Sequence, residues 1–183
     1  SVYEVKMKNV FETTALSISG LDPSPATMQA VQNRSNIFNM SDVAEDAILR
    51  PKEYGAFDHG MRAALAARIA FQNNEDALAH KYSEDAGNFK KVSNPSYEGE
   101  TKDLKAILSF MDKVAVDTRN VEAEDIIALK NAHVSDADIV RLAELNSFMA
   151  YQIRLITGLR LMKETEDDWD TAQVYAVYTW LAS

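Results

Sequence analysis

The sequence predicts an all-α fold, a bundle of about seven or eight helices. Apolar residues recur with the 3.6-residue period of a helix along most of the chain. The breaks between these stretches carry Gly, Pro, Asn or Ser, which end or cap helices. An alanine-rich stretch at residues 61–71 adds high intrinsic helix propensity. A chain of 183 residues without a long Pro- or Gly-rich linker is expected to form a single domain, 1–183.

Capping and stop residues divide the chain into its predicted helices. Gly20 and Gly87 are expected to stop two of them, Ser41 or Asp42 to cap the third, and Asp58 to cap the fourth. Asn73, with acids following it, is expected to cap the fifth. In chain order the predicted helices span residues 5–18, 26–35, about 42–49, 61–71, 74–86, 103–116, 123–130 and 139–162.

Three regions follow from this division: N-terminal helices at 1–57, a core at 58–162, and an acidic and aromatic tail at 163–183. Within the core, helix 139–162 is apolar around most of its circumference and is predicted to be the central buried helix. Residues 88–99 are polar and turn-forming, so they are predicted to form the least ordered internal loop. The aromatic tail needs a surface to cover, on its own subunit or on a neighbour's.

Composition removes several classes of function. A net charge of −9 argues against nucleic acid or an anionic membrane as the main partner. The chain has no cysteine, which excludes disulfides, thiolate nucleophiles and cysteine metal sites. No apolar run reaches the roughly 20 residues of a membrane span, and the first residues lack a signal-peptide core. These features predict a cytoplasmic protein. No bound cofactor is expected, and the methionines are expected to fill the core.

Two stretches resemble one known superfamily. They are ALAARIAFQNNEDALAH at residues 64–80 and the run from FMDKVAVDTRN to ITGLRL at residues 110–161. Both are similar to the alkylhydroperoxidase-D-like, carboxymuconolactone decarboxylase (CMD) superfamily, in particular to its peroxidase-related branch and to thiol-less CMD domain proteins. The resemblance implies the helical bundle of that superfamily. It also implies a homo-oligomer, a dimer, trimer or hexamer, for which the aromatic tail is a candidate exchange arm.

The redox motif of the superfamily is missing its thiols. Thiol-bearing members carry Cys-x-x-Cys-x-x-x-His with an upstream glutamate. When the histidine is aligned with His80, the cysteine positions fall on Asn73 and Asp76 and the glutamate position on Met61. Neither Asn nor Asp can cycle between thiol and disulfide, so the thiol-peroxidase reaction is impossible for this chain alone.

His80 and Asp76 are the candidate catalytic residues. They stand at i and i+4 and would share one face of a helix, with Asn73 a turn before them as a candidate ligand-binding residue. A carboxylate-oriented imidazole is a reasonable general base. The alternative is structural: Asn73 and Asp76 suit a helix start, and His80 can satisfy a buried hydrogen bond. No metal site is predicted, because His59 and His133 lie in separate segments.

Tyr151 and Arg154 are further candidate ligand-binding residues, three apart on the helix predicted to be central. If Arg154 is buried, it needs an anionic partner, either a protein carboxylate such as Glu144 or a bound organic acid. Two classes of function stay open. The first is an oxidoreductase or decarboxylase-like lyase acting on a small organic acid or a hydroperoxide. The second is a non-catalytic protein that binds a ligand or assembles with a thiol-bearing relative.

Overall fold

The computed structural model of the chain describes residues 9–164 and Trp180, and all regular secondary structure there is helical. The prediction of an all-α fold is therefore confirmed. The α-helices are α1 Thr14–Ser19, α2 Pro25–Asn33, α3 Ser35–Leu49, α4 His59–Gln72, α5 Asp76–Glu84, α6 Lys102–Val116, α7 Ala123–Asn131 and α8 Asp136–Glu164. Short 3-10 helices occupy Val10–Glu12, Gly87–Ser93 and Thr118–Asn120.

Contacts divide the chain into two compact units. The described part of the first unit consists of residues 9–44 and 154–164 with Trp180, and the second unit consists of residues 45–153. Helices α3 and α8 contribute residues to both. The single-domain organisation stays a prediction. The tail predicted at 163–183 lies outside the described residues, apart from its first two residues and Trp180.

Local capping signals explain most helix boundaries. Gly20 adopts the left-handed conformation (φ 68°) and ends α1, as expected. The Asp58 side chain accepts a hydrogen bond from the Met61 amide at 2.9 Å and caps α4. The start predicted for α3 was wrong, because this helix begins at Ser35. Instead of capping α3, the Asp42 carboxylate accepts a hydrogen bond from the Thr14 amide at 2.9 Å.

The break between α4 and α5 is a left-handed helix end. Asn74 has φ 60°, its amide donates to Phe71 O at 3.1 Å, and the next amide, of Glu75, donates to Ala70 O at 2.9 Å. These two bonds form a Schellman motif, in which asparagine tolerates the position that glycine usually occupies. Asn73 therefore ends α4 rather than capping α5, whose N-cap is Glu75.

The central buried helix is α4, not α8. Every residue from Met61 to Ala70 is buried, and α4 packs against α5, the 3-10 helix Gly87–Ser93 and α6. Alanine side chains let neighbouring elements approach α4 closely. In contrast, α8 keeps one face exposed, with Val140 54% and Leu161 49% exposed. No helix in the described residues has the length and apolarity needed to cross a membrane.

Asp138 links the start of α8 to the segment before α4. Its carboxylate accepts hydrogen bonds from the Ala56 amide at 3.2 Å, Ser135 Oγ at 3.0 Å and Arg141 Nη1 at 2.9 Å. Ser135 Oγ in turn accepts from the Asp138 amide at 3.1 Å, which caps the start of α8. Burial alone would raise the pKa of Asp138, but these hydrogen bonds outweigh burial and lower it below its usual value.

We expect Asp138→Asn to lower the free energy of unfolding at neutral pH by about 1–2 kcal/mol, because it removes charge-assisted hydrogen bonds. The carboxylate stabilises the fold above its unfolded-state pKa of about 3.9, and that contribution is lost as the pH falls through the lower folded-state pKa. Urea unfolding should therefore show a difference from wild type that shrinks below about pH 4. Asp136→Asn, at an 84% exposed side chain, is the control and should cost less than about 1 kcal/mol. An Asp138 effect of equal size in acid and at neutral pH would contradict this account.

Candidate functional site

Helix α5 carries both predicted catalytic residues on its exposed side. Asp76 and His80 lie one helical turn apart, and no hydrogen bond joins them among the described contacts. The His80 ring meets the Phe71 ring edge-on, with centroids 5.3 Å apart and an interplanar angle of 90°. Its two ring nitrogens make no hydrogen bond to any described residue. The imidazole is therefore held by packing and keeps both nitrogens free for a ligand or solvent.

The opposite side of α5 is fixed to the protein interior. Tyr82 is 1% exposed, and its hydroxyl donates a hydrogen bond to Glu45 Oε2 at 2.7 Å. Gln152 Nε2 donates to the same carboxylate oxygen at 3.2 Å. Since residues two apart point to opposite sides of a helix, the anchoring of Tyr82 turns His80 outward.

Asn73 sits at the end of α4, where its side-chain amide donates to Ile69 O at 2.9 Å. Its nitrogen is thus engaged in closing the helix. Tyr151 and Arg154 are exposed on α8, and neither lines the cavity beside His80. Arg154 is exposed rather than buried, and its guanidinium carbon lies 5.0 Å from the Trp180 ring centroid in a cation–π contact. Partial burial raises the pKa of Tyr151.

A cavity of about 460 Å³ lies beside His80, and we call it the His80 cavity. It is lined by Phe71, His80, Ser83, Lys90, Ser93, Asn94 and Pro95. None of these residues is acidic. The Lys90 ammonium forms no ion pair with a described residue, whereas the adjacent Lys91 binds Glu100 at 2.8 Å. The cavity therefore combines one lysine, one imidazole and neutral hydrogen-bonding groups with two apolar side chains.

The far wall of the His80 cavity lies in the segment predicted as a loop. That prediction was wrong for its first half, which forms the 3-10 helix Gly87–Ser93. The second half is held by Arg68, which is 2% exposed and binds both oxygens of Asp112 at 2.7 and 2.8 Å. The Arg68 guanidinium also donates to the main-chain oxygens of Val92, Asn94, Pro95 and Tyr97. We call this set of contacts the Arg68 clamp.

Arg62 lies six residues before Arg68 on α4. It holds the segment between α3 and α4. It is 5% exposed and donates to Phe57 O at 2.7 Å, Ile48 O at 2.8 Å and Tyr54 O at 2.9 Å. Burial and the nearby Arg141 charge lower the pKa of Arg62. Both buried arginines were missed in the sequence. Their one visible signal was a charged residue at each end of an otherwise apolar, alanine-rich stretch.

A second cavity, of about 480 Å³, includes Asp58, His133 and Asp138 in its lining. Two of its three acidic residues already have structural roles, because Asp58 caps α4 and Asp138 accepts three hydrogen bonds. His133 is the left-handed residue (φ 63°) that follows α7. Within residues 9–164 and 180, no three His, Asp or Glu side chains are grouped to hold a metal ion. The His80 cavity, with its free donors, is the better candidate site.

No protein-family model matches the chain, and neither a curated protein nor a solved structure matches it. Membership of the alkylhydroperoxidase-D-like superfamily therefore stays a prediction that rests on the two quoted stretches.

Proposed function

We propose that this chain is a thiol-less member of the alkylhydroperoxidase-D-like, CMD superfamily that binds a small organic acid in the His80 cavity, where His80 exchanges a proton with the ligand. The observation that carries the proposal is the His80 imidazole, whose two nitrogens bind no described residue, beside Lys90 in a cavity where no described carboxylate lines the wall. The helix–break–helix arrangement of α4 and α5, at the place where related proteins carry their redox motif, supports the superfamily assignment.

Electrostatics favour an anion at this place. The chain has a net charge of −9, which repels anions from most of its surface. An anion therefore needs a local group of positive charge and hydrogen-bond donors. Lys90 supplies the charge, and Ser93 and Asn94 supply neutral polar groups. A cavity of this volume is within the range of about 300–1,000 Å³ that small-molecule sites occupy.

His80 suits acid–base chemistry, because an imidazole ring can both accept and donate a proton. With no cysteine in the chain, a proton transfer is chemically accessible where a thiol–disulfide cycle is not. Asp76 lies on the same face one turn earlier, and its role in orienting the imidazole stays a prediction. We also propose that a hydroperoxide can serve as the ligand and that the chain assembles into a homo-oligomer.

The three histidines allow a direct test with benzoate as the probe. In a titration followed by NMR of the ring Cε1–H groups, the His80 resonance should move in a saturable way. His59, whose Nε2 lies 2.7 Å from Pro51 O, is an internal control and should not respond. His133 reports on the second cavity. Movement of His133 alone, or no saturable movement of any histidine, would contradict the proposal.

A further inference from the structure

Ser93 carries an unsatisfied hydroxyl in the wall of the His80 cavity. The residue is 3% exposed, and its Oγ atom is buried without a hydrogen-bond partner among the described residues. Such an atom is unusual, because folded proteins satisfy nearly all buried polar groups and leaving one unpaired is unfavourable. Across the same cavity, the hydroxyl of Ser83 is already used, since it donates to His80 O at 3.2 Å. Ser93 is thus the serine that has a hydroxyl free for a ligand.

Lys90 lies on the same side of the wall as Ser93. The two residues are three positions apart in the 3-10 helix Gly87–Ser93, and positions i and i+3 of a 3-10 helix are eclipsed. The helix therefore places an ammonium group and a buried hydroxyl in one row along the cavity. The neighbouring Lys91 forms its ion pair with Glu100 instead. A carboxylate group can accept hydrogen bonds from both an ammonium and a hydroxyl donor.

The remaining lining of the cavity fixes the other half of the ligand. Phe71 and Pro95 are apolar, and the Phe71 ring is held edge-on to His80. We infer that the His80 cavity selects a carboxylate with an apolar body, that Ser93 Oγ and Lys90 bind its carboxylate, and that Phe71 and Pro95 contact its body. This inference rests on the proposed function and deepens it. In this inference Ser93 and Lys90 determine specificity, and the His80 ring exchanges a proton with the ligand.

The test is a set of calorimetric titrations with benzoate on wild-type protein and four variants. Ser93→Ala should weaken benzoate binding about tenfold, as expected for a lost hydrogen bond to a charged group. The matched control Ser83→Ala should bind within about twofold of wild type. Lys90→Gln should weaken binding several-fold and reduce its dependence on salt, whereas Lys91→Gln should change neither. Acetate, without the apolar body, and benzamide, without the charge, should each bind at least about tenfold more weakly than benzoate.

Thermal unfolding without ligand separates a ligand role of Ser93 from a structural one. Because its hydroxyl has no partner in the described structure, Ser93→Ala should unfold at the same temperature as wild type or higher. Ligand-induced stabilisation by benzoate should shrink in this variant. If benzoate moves the His80 resonance but binds Ser93→Ala as tightly as wild type, the inference fails and the proposed function stands. If no carboxylate moves that resonance, both fail.

Discussion

Replacing Arg68 with methionine should lower the free energy of unfolding by about 3–5 kcal/mol, the usual cost of breaking a buried ion pair by removing one partner. Arg68 is 2% exposed, and its guanidinium serves Asp112 and four main-chain carbonyls. Methionine fills much of the same volume but donates no hydrogen bond. The side chain of Asp112 is 29% exposed, so water reaches it more easily than it reaches the buried carbonyl of Val92. Urea unfolding at neutral pH measures the effect.

The matched control for Arg68 is Lys91→Met in the same region. Lys91 and Glu100 form an ion pair at 2.8 Å with side chains 56% and 70% exposed, so its loss should cost less than about 1 kcal/mol. Arg68→Lys should recover only part of the stability, because one ammonium cannot reproduce the planar fork that reaches both Asp112 and the carbonyls. A loss below about 1 kcal/mol in Arg68→Met would show that the Arg68 clamp does not hold the segment.

Arg62→Met should lower the free energy of unfolding by about 3 kcal/mol. No carboxylate within residues 9–164 binds this guanidinium directly, and the loss comes from the carbonyls of Ile48, Tyr54 and Phe57. Each buried acceptor left unpaired costs about 1–3 kcal/mol, and those that reach water cost the least. Hydrogen exchange of the amides between residues 54 and 62 should accelerate in the same variant, since these carbonyls hold that segment against α4.

Arg50→Met provides the comparison for Arg62. The Arg50 side chain is 42% exposed and pairs with Asp46 at 2.8 Å across one helical turn. Its removal should cost less than about 1 kcal/mol. Equal effects of Arg50→Met and Arg62→Met would mean that the carbonyl contacts of Arg62 contribute little, and would contradict the second prediction.

Signals that act over a few residues predicted the fold well. Gly20 and Asp58 end or begin helices through bonds to their own neighbours, so the sequence around them contains what is needed. The choice of the buried helix failed for a different reason. An apolar circumference shows that a helix can be buried, but it does not show which neighbours cover the helix. Helix α4 is surrounded because its alanines admit neighbours on all sides.

The candidate site was predicted only in part. His80 lines the cavity, whereas Asp76, Tyr151 and Arg154 do not. Lys90 and Ser93 were missed because they lie in a polar segment whose 3-10 helix has no strong periodic pattern. From the sequence, a buried arginine was expected to have an acidic partner.

The buried arginines instead bind main-chain oxygens. In the described part of the chain, Arg62 donates to three such oxygens, and Arg68 donates to four of them in addition to Asp112. Every residue carries such an oxygen, so no side-chain pattern marks the contacts.

The Arg68 clamp fixes the main-chain path of the cavity wall without binding the side chains that line the cavity. The clamp grips main-chain oxygens at Val92, Asn94, Pro95 and Tyr97, which a change of side chain leaves in place. The Ser93 side chain, whose hydroxyl has no partner among the described residues, can therefore be exchanged while the wall keeps its path, whereas Asn94 Oδ1 accepts hydrogen bonds from the Ser96 amide and Oγ. Ligand preference at this site is open to redesign by changing Ser93 together with Lys90, on a frame whose geometry depends on the Arg68 clamp.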